Sequence, residues 1–591
     1  MCKKKSILSL ITFIWLSIAV DAADSARPNV LLILTDDQGY GDLSMHGNPH
    51  LKTPATDRLG RESVRLDRFY VSPVCGPTRA SLMTGRYHVR TGAFGVTRRE
   101  EVLNPAEVTI AELLKKAGYA TGCFGKWHNG NVYPETPNGQ GFDEFLGVLG
   151  GLSQLYFNAV LDHNGEDKKY EGYITEILAD AAIDWMDEQI EEDKPFFCYV
   201  PFNAPHTPGL VEDEYWKKYY NRSVGRWEAV IYGMIERIDE QVGRMMEFLE
   251  DKDQVENTIV IFMSDYGPAT WRYNAGLRGK KGNFYDGGIR VPCFIRWPGK
   301  LKPSTIDLPL AHIDMLPTLA EWCGVRDTEG LELDGKSFAS LAENPTTPWE
   351  DRKIISFAHA DEERIRNTAT VHTQQWTAVQ NRGRWELFDI IADIRQRIDV
   401  SNEHPEVLEE LKTHFEETLA TLPALGQYTP FSLIDNEISD VALEGNDALL
   451  PSGYKGKGID YNFSAGFSHH WISFWTRTEA VPEWIVDVVD PGTFEVSLLY
   501  CIPESDLGVK AYLEVQGEKL PINITEAFDP LPNPQPFLLD GESIKYENKD
   551  WKELPLGKVT LKKGLTKARI QVTDIPGEAA MEVKEVVFRR L

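Results

Sequence analysis

From Asn29 to about Trp297 the chain alternates short, wholly apolar runs with longer stretches of helical periodicity, and few folds accept that alternation. Asn29-Val30-Leu31-Leu32-Ile33-Leu34 has no polar face, as expected of a parallel strand covered on both sides. Pro195 to Val200 and Thr258 to Met263 repeat the pattern. Between such runs, Thr109-Ile110-Ala111-Glu112-Leu113-Leu114 opens with a capping box, Thr109 to Glu112, and its helix should stop at Gly118. Glu228 to Glu250 carries apolar residues at helical spacing. The expected fold is therefore α/β, with a mainly parallel central sheet flanked by helices and an active site beyond the carboxyl ends of the strands.

The chain is too long for a single core, and its pattern changes near residue 427. Helical periodicity ends with Val407 to Leu419, and a Gly/Pro/Asp-rich connection follows. Beyond it, runs such as Trp484-Ile485-Val486-Asp487-Val488-Val489 and Phe494-Glu495-Val496-Ser497-Leu498-Leu499 predict an all-β sandwich over 428–591. Its tryptophans Trp471, Trp475 and Trp484 read more readily as core than as a sugar-stacking platform.

The first residues read as an address. Lys3, Lys4 and Lys5 precede an apolar run from Ile7 to Val20, and Val20-Asp21-Ala22 offers a small-x-small cleavage site. The run is shorter than the ~20 residues a spanning helix needs, so residues 1–22 are expected to be a signal peptide and the mature protein periplasmic or secreted. No stable membrane insertion is expected. The formal net charge is −28, and loss of the three lysines with Asp21 deepens it by two. Such a surface repels nucleic acid and anionic membranes, so an anionic substrate would need a local basic cluster inside a pocket.

Of seven cysteines, Cys2 leaves with the leader. Cys123, Cys198 and Cys293 sit inside apolar, strand-like runs and are expected to be buried free thiols. Cys75 is different, because Gly76, Pro77, Thr78 and Arg79 follow it. Pro77 suits the first turn of a helix, which would place Cys75 at an N-terminus where backbone N–H groups favour an anion and Arg79 adds a positive charge. That is a place to activate a nucleophile.

Three further segments follow predicted strands. Thr35-Asp36-Asp37-Gln38-Gly39-Tyr40-Gly41-Asp42 pairs two carboxylates with glycines, which suits either a hard cation or a solvated loop. Asn203-Ala204-Pro205-His206 places a histidine after the run ending at Val200. Met263-Ser264-Asp265-Tyr266-Gly267 is continued by Leu277-Arg278-Gly279-Lys280-Lys281-Gly282.

Together these motifs resemble the formylglycine-dependent type I sulfatases of the alkaline phosphatase superfamily. Cys75-Gly76-Pro77-Thr78-Arg79, extended by Leu82-Met83-Thr84-Gly85, matches the family's Cys-x-Pro-x-Arg signature, and Gly118-Tyr119-Ala120-Thr121-Gly122-Cys123-Phe124-Gly125-Lys126-Trp127-His128 matches its second. The resemblance spans about residues 27 to 420 and implies a catalytic domain over 23–350 and a small α+β subdomain over 351–427, leaving 428–591 as an accessory sandwich, a candidate carbohydrate-binding module.

The resemblance further implies a sulfatase acting on a sulfated polysaccharide or oligosaccharide. Cys75 would be oxidised before folding to formylglycine (3-oxoalanine) by a formylglycine-generating enzyme. One Ca²⁺ would be held by Asp36, Asp37, Asp265, residue 75 and the residue after Asp265. Arg79, Lys126 and Lys281 would neutralise the sulfuryl group, His128 would be the base, and His206 or Lys281 would protonate the leaving oxygen. One position departs from the pattern: the family has Asn or His after the third aspartate, and this chain has Tyr266. Rival readings are a phosphate or phosphonate ester hydrolase on the same fold and a non-catalytic glycan-binding protein.

Overall fold

The computed structural model describes residues 27–591 apart from 154, 326, 327, 329, 360, 425, 436–439, 452–457, 464, 465 and 534–547. The expected signal peptide, residues 1–22, lies outside the described residues.

Five parallel strands form the centre of a ten-stranded sheet: β1 (Asn29–Thr35), β2 (Ala120–Lys126), β3 (Glu144–Val148), β4 (Phe196–Pro201) and β5 (Thr258–Ser264). Their spatial order is β5-β1-β4-β2-β3, so the chain runs from β1 out to β3 and then returns to insert β4 between β1 and β2. β1, β2, β4 and β5 are buried along their whole length. Side chains alternate across the sheet, so Val30, Leu32 and Leu34 join one apolar layer while Leu31 and Ile33 join the other.

The first layer contains α1 (Cys75–Thr84) and α2 (Ile110–Lys116), and the second contains α3 (Ile174–Glu191) and α4 (Arg226–Asp251). α2 starts at the expected capping box, with both the Thr109 and Glu112 bonds formed. Each buried Leu, Ile or Val in these layers is stabilised by roughly 1.5–3 kcal/mol relative to exposure. At the edges the sheet turns antiparallel, through Cys293–Arg296 beside β5 and Val160–His163 beside β3. The fold is thus α/β with a mixed sheet whose centre is parallel.

A four-stranded antiparallel sheet follows, Ile354–Phe357, Ala369–His372, Trp376–Asn381 and Arg384–Asp389. The helix Pro405–Ala420 covers it with Leu411, Phe415 and Leu419. From Phe431 onward the regular structure of the described residues is strand apart from two short 3-10 turns, in one sheet of five and one of six strands sharing a single apolar core. Trp471, Trp475 and Trp484 are all buried, and the indole N–H of Trp484 donates to Glu444 O at 2.8 Å. They are core residues, not a platform. Val132 of the α/β domain is part of this same core, so the two bodies are packed together.

Cys123, Cys198 and Cys293 are buried free thiols, as are Cys75, Cys323 and Cys501. Among the described residues no helix is long and apolar enough to cross a membrane.

Candidate active site

The three carboxylates are placed by strand ends. Asp36 and Asp37 follow β1 directly, and Asp265 and Tyr266 follow its parallel neighbour β5, in register at Thr35 and Ser264. All four are buried. Asp37 has φ 70°, a left-handed backbone that persists in a non-glycine residue only when its surroundings hold it. Arg272 supplies that hold, donating from Nη2 to Asp37 O and to Asp42 Oδ2, each at 2.6 Å. Gly41 in the same turn permits close approach, since a Cβ there would lie 2.4 Å from Asn274 Cα.

Cys75 is the first residue of α1, whose ten residues are all buried, and Arg79 sits one turn on. The Arg79 guanidinium donates to Asp265 Oδ2 from Nη2 at 3.0 Å and to Lys126 O from Nη1 at 2.7 Å. Lys126, the last residue of β2, places Nζ 2.5 Å from Asp36 Oδ2. The ammonium of Lys281 reaches the Tyr266 hydroxyl at 2.8 Å and Asp37 Oδ1 at 3.1 Å. Cys75 is near enough to influence the ionisation of Arg79, Asp265, Tyr266 and Lys281. All these groups, drawn from distant segments, meet around one point.

Their electrostatics are strongly coupled. Burial opposes ionisation of Asp36, yet the charges of Lys126, Arg79 and Lys281 prevail and hold its carboxyl well below the usual range. Asp265 goes the other way: burial and the neighbouring Asp36 charge push it well above that range, against the pull of Arg79. Lys281 loses hydration, but Asp37, Cys75 and Asp36 keep its pKa raised and the group charged. In the chain alone, three cations face three carboxylates.

His128 lies just beyond β2. Its Nε2–H donates to Val96 O at 2.9 Å, which leaves Nδ1, buried and without a hydrogen-bond partner, as the lone-pair nitrogen. Burial and then Lys126 press its pKa well below the usual value, so the ring is neutral and able to accept a proton. His206 follows β4, in a turn that also accepts the Asp36 N–H at Ala204 O. Its Nδ1–H donates to Thr207 O at 2.7 Å, and its Nε2 faces Asp37 Oδ2 at 3.8 Å. Burial lowers its pKa to about 4.

The donor set fits a hard divalent cation. Asp36, Asp37 and His206 offer ligand atoms that all lie within 4.8 Å of one another. Asp37 Oδ1 is buried without a hydrogen bond, because Lys281 approaches it off the line a bond requires. Asp265, whose Oδ2 serves Arg79, still turns Oδ1 toward the Asp37 N–H at 3.3 Å. Tyr266 behaves differently from the expected ligand. Its hydroxyl donates to Asp36 Oδ1 at 2.6 Å and accepts from Lys281, and burial pushes its pKa well up, so it is a neutral phenol bracing two charged groups.

Three contributors escaped the sequence reading. Arg272 carries no motif around it. Asn129 donates to both Gly76 O and Glu101 O at 3.1 Å, fixing the turn beside Cys75. Asn203 is buried with both amide atoms unpartnered, and only its position after β4 could have drawn attention to it.

The sulfatase family model matches residues 28–325, and the model of the N-sulphoglucosamine sulphohydrolase C-terminal region matches residues 279–422. Both matches end before the sandwich. The chain is 31% identical over 407 residues to arylsulfatase A of Homo sapiens, an alignment covering 61% of this chain and 76% of that one. It is 29% identical over 408 residues to the uncharacterized sulfatase YdeN of Escherichia coli strain K12, covering 57% and 71% respectively. The crystal structure of Ps i-CgsB in complex with k-i-k-neocarrahexaose aligns with a TM-score of 0.62 at 31% identity, over 66% of this chain and 92% of that one. With its motif residues gathered at the strand ends and a family match across half its length, the chain belongs to the sulfatase family and is a sulfuric ester hydrolase.

Proposed function

We propose that this enzyme removes sulfate from a sulfated glycan, with residue 75 supplying the nucleophile as formylglycine. The observation that carries this reading is the convergence of Arg79, Lys126 and Lys281 on Asp265, Asp36 and Asp37, with Arg79 and Lys281 close enough to Cys75 to feel its charge. Three cations gathered there, on a chain of net charge −28, make a local trap for a small tetrahedral anion. The glycan class rests on similarity to Ps i-CgsB, which was crystallised with k-i-k-neocarrahexaose.

In this reading Asp36, Asp37 and Asp265 hold one Ca²⁺, with residue 75 completing the set and His206 adjacent. When bound, that ion would polarise a sulfate oxygen and offset the carboxylate charge that otherwise neutralises the three cations. Arg79 and Lys126 orient and neutralise the sulfuryl oxygens. His128, neutral and with Nδ1 free, accepts a proton from the nucleophile's hydroxyl. Lys281 holds its proton until a stronger base forms, and the leaving alkoxide is such a base, so the acid role falls to Lys281 in preference to His206.

Export through residues 1–22, and an accessory role for 428–591 beside the catalytic domain, belong to the same proposal. Its test has two readouts. Peptide mass spectrometry of active protein should find formylglycine at 75, and turnover of an aryl sulfate should exceed that of the matching aryl phosphate. Unmodified cysteine in fully active protein would overturn the nucleophile assignment, and faster phosphate turnover would favour the phosphoester rival. Chelation should abolish turnover, with calcium restoring it. Release of sulfate across a panel of sulfated glycans then identifies the substrate.

A further inference from the structure

His128 is held in a conformation its own sequence does not favour. Its backbone has φ 63°, left-handed, and such a residue keeps its pose only when its neighbours over-determine it. Two loops of the α/β domain do so. The first spans Gly95 to Glu101: Val96 O accepts the imidazole Nε2–H, and Gly95 N–H closes the loop on Glu100 O at 2.7 Å. The second follows β3: Leu149 O accepts the His128 N–H at 2.9 Å, and Gly151 lies so close that a Cβ there would sit 2.6 Å from His128 Nε2.

Both loops are gripped by the C-terminal part of the chain. Arg99 in the first loop, itself at φ 66°, donates to Thr429 O at 3.0 Å and to Pro430 O at 3.1 Å, and stacks 3.9 Å above the Phe431 ring while paired with buried Glu135. The second loop is pinned by two side chains of the sandwich. Gly151 N–H donates to Ser468 Oγ at 2.8 Å, and His469 Nε2–H donates to Leu152 O at 3.0 Å. His469 is in turn steadied by Lys584, whose ammonium donates to His469 O at 3.2 Å.

We infer that the C-terminal β-sandwich positions the His128 base by clamping the two α/β-domain loops that hold its imidazole. The inference rests on the proposed role of His128. Ser468, His469 and Arg99 act through other residues and are positioning residues. The sandwich then belongs to the catalytic apparatus even if it never binds sugar.

The full-length enzyme tests this with Ser468→Ala, His469→Ala and Ser468→Thr, alongside His128→Ala and the control Gln571→Ala, which breaks bonds to Thr478 and Val572 within the sandwich. Ser468→Ala and His469→Ala should each lower kcat about tenfold with KM unchanged, as loss of an orienting partner does. Ser468→Thr keeps the hydroxyl and should restore most of the rate, and Gln571→Ala should leave kcat near native. Melting curves will distinguish a displaced base from an unfolded sandwich, since the clamp predicts lost kcat at unchanged melting temperature. If His128→Ala abolishes turnover while both alanine variants keep kcat within twofold of native, the clamp is wrong and the base assignment stands. If His128→Ala itself turns over normally, the base assignment fails and the clamp fails with it. A rise in KM at constant kcat would instead make Ser468 and His469 substrate contacts, which also overturns the inference.

Discussion

β1 is buried at all seven of its positions, whereas the sandwich strand Glu483–Val488 is buried only at every second one. A strand covered on both faces can present chemistry only at its end, and that is where Asp36, Lys126 and Asp265 lie. That sandwich strand hides only Trp484, Val486 and Val488, and the side chains that reach the α/β domain come from loops such as the one bearing Ser468. The α/β domain therefore gathers buried charge at its strand ends, whereas the facing sheets of the sandwich pack a continuous hydrocarbon core. Equal-sized cuts in the two should do different damage.

The largest effect is expected from Asp36→Ala. It strips Lys126 of its partner where both side chains have 0% exposure, and breaking such a pair costs about 3–5 kcal/mol. Turnover should fall by at least about a thousandfold, since the carboxylate that organises Lys126, Arg79 and Tyr266 is lost. A variant with near-native rate and melting temperature would break the comparison. In the sandwich, Trp484→Ala should cost a similar ~3–5 kcal/mol as a packing cavity, read in the denaturant midpoint. The rate per folded molecule should change far less than in Asp36→Ala, and an equal loss would erase the distinction.

Acid should act mainly on the part of the chain before the sandwich, where most of the depressed histidines lie, His469 being the sandwich's. His88, His312 and His372 are buried there, and desolvation depresses them to about 4, about 3 and about 3. The folded state keeps them neutral while the unfolded chain takes protons below its ordinary histidine pKa, so stability is intact above about pH 6.5. It is lost as pH falls from there toward 4, at roughly 1.4 kcal/mol per pH unit for each histidine. Unfolding followed separately by fluorescence and by activity over that window checks the sign, and rising stability on acidification would refute it. The smallest effect is expected for Tyr266→Phe. Losing one neutral donor to Asp36 and one acceptor for Lys281 should slow turnover about tenfold, or about 1.4 kcal/mol, with the metal site retained.

Much of the α/β centre was legible because its strands are continuous apolar runs and its helices carry local signals, the Thr109 capping box among them. The site was legible where residues sit at strand ends or inside signatures, as Asp36, Cys75 and Lys126 do. What escaped depends on long-range contact. Nothing local to Arg272 announces that it will hold Asp37 O, and no pattern links Ser468 to Gly151, 317 positions apart. The strand Glu166–Lys169 was invisible for a different reason: it is exposed at every position and has no apolar face to read. Tyr266 was located as a departure from the pattern, and only the fold shows its hydroxyl donating to Asp36 and accepting from Lys281.

The helix that begins at Cys75 is buried along all ten residues. On the proposed formylglycine chemistry, an enzyme that must grip the chain around residue 75 would have to act before this helix docks. The folded molecule would then preserve a record of the order of events. A chain that folded before its cysteine was converted would keep the thiol, and the active fraction of a preparation would become a stopwatch reading of folding against modification.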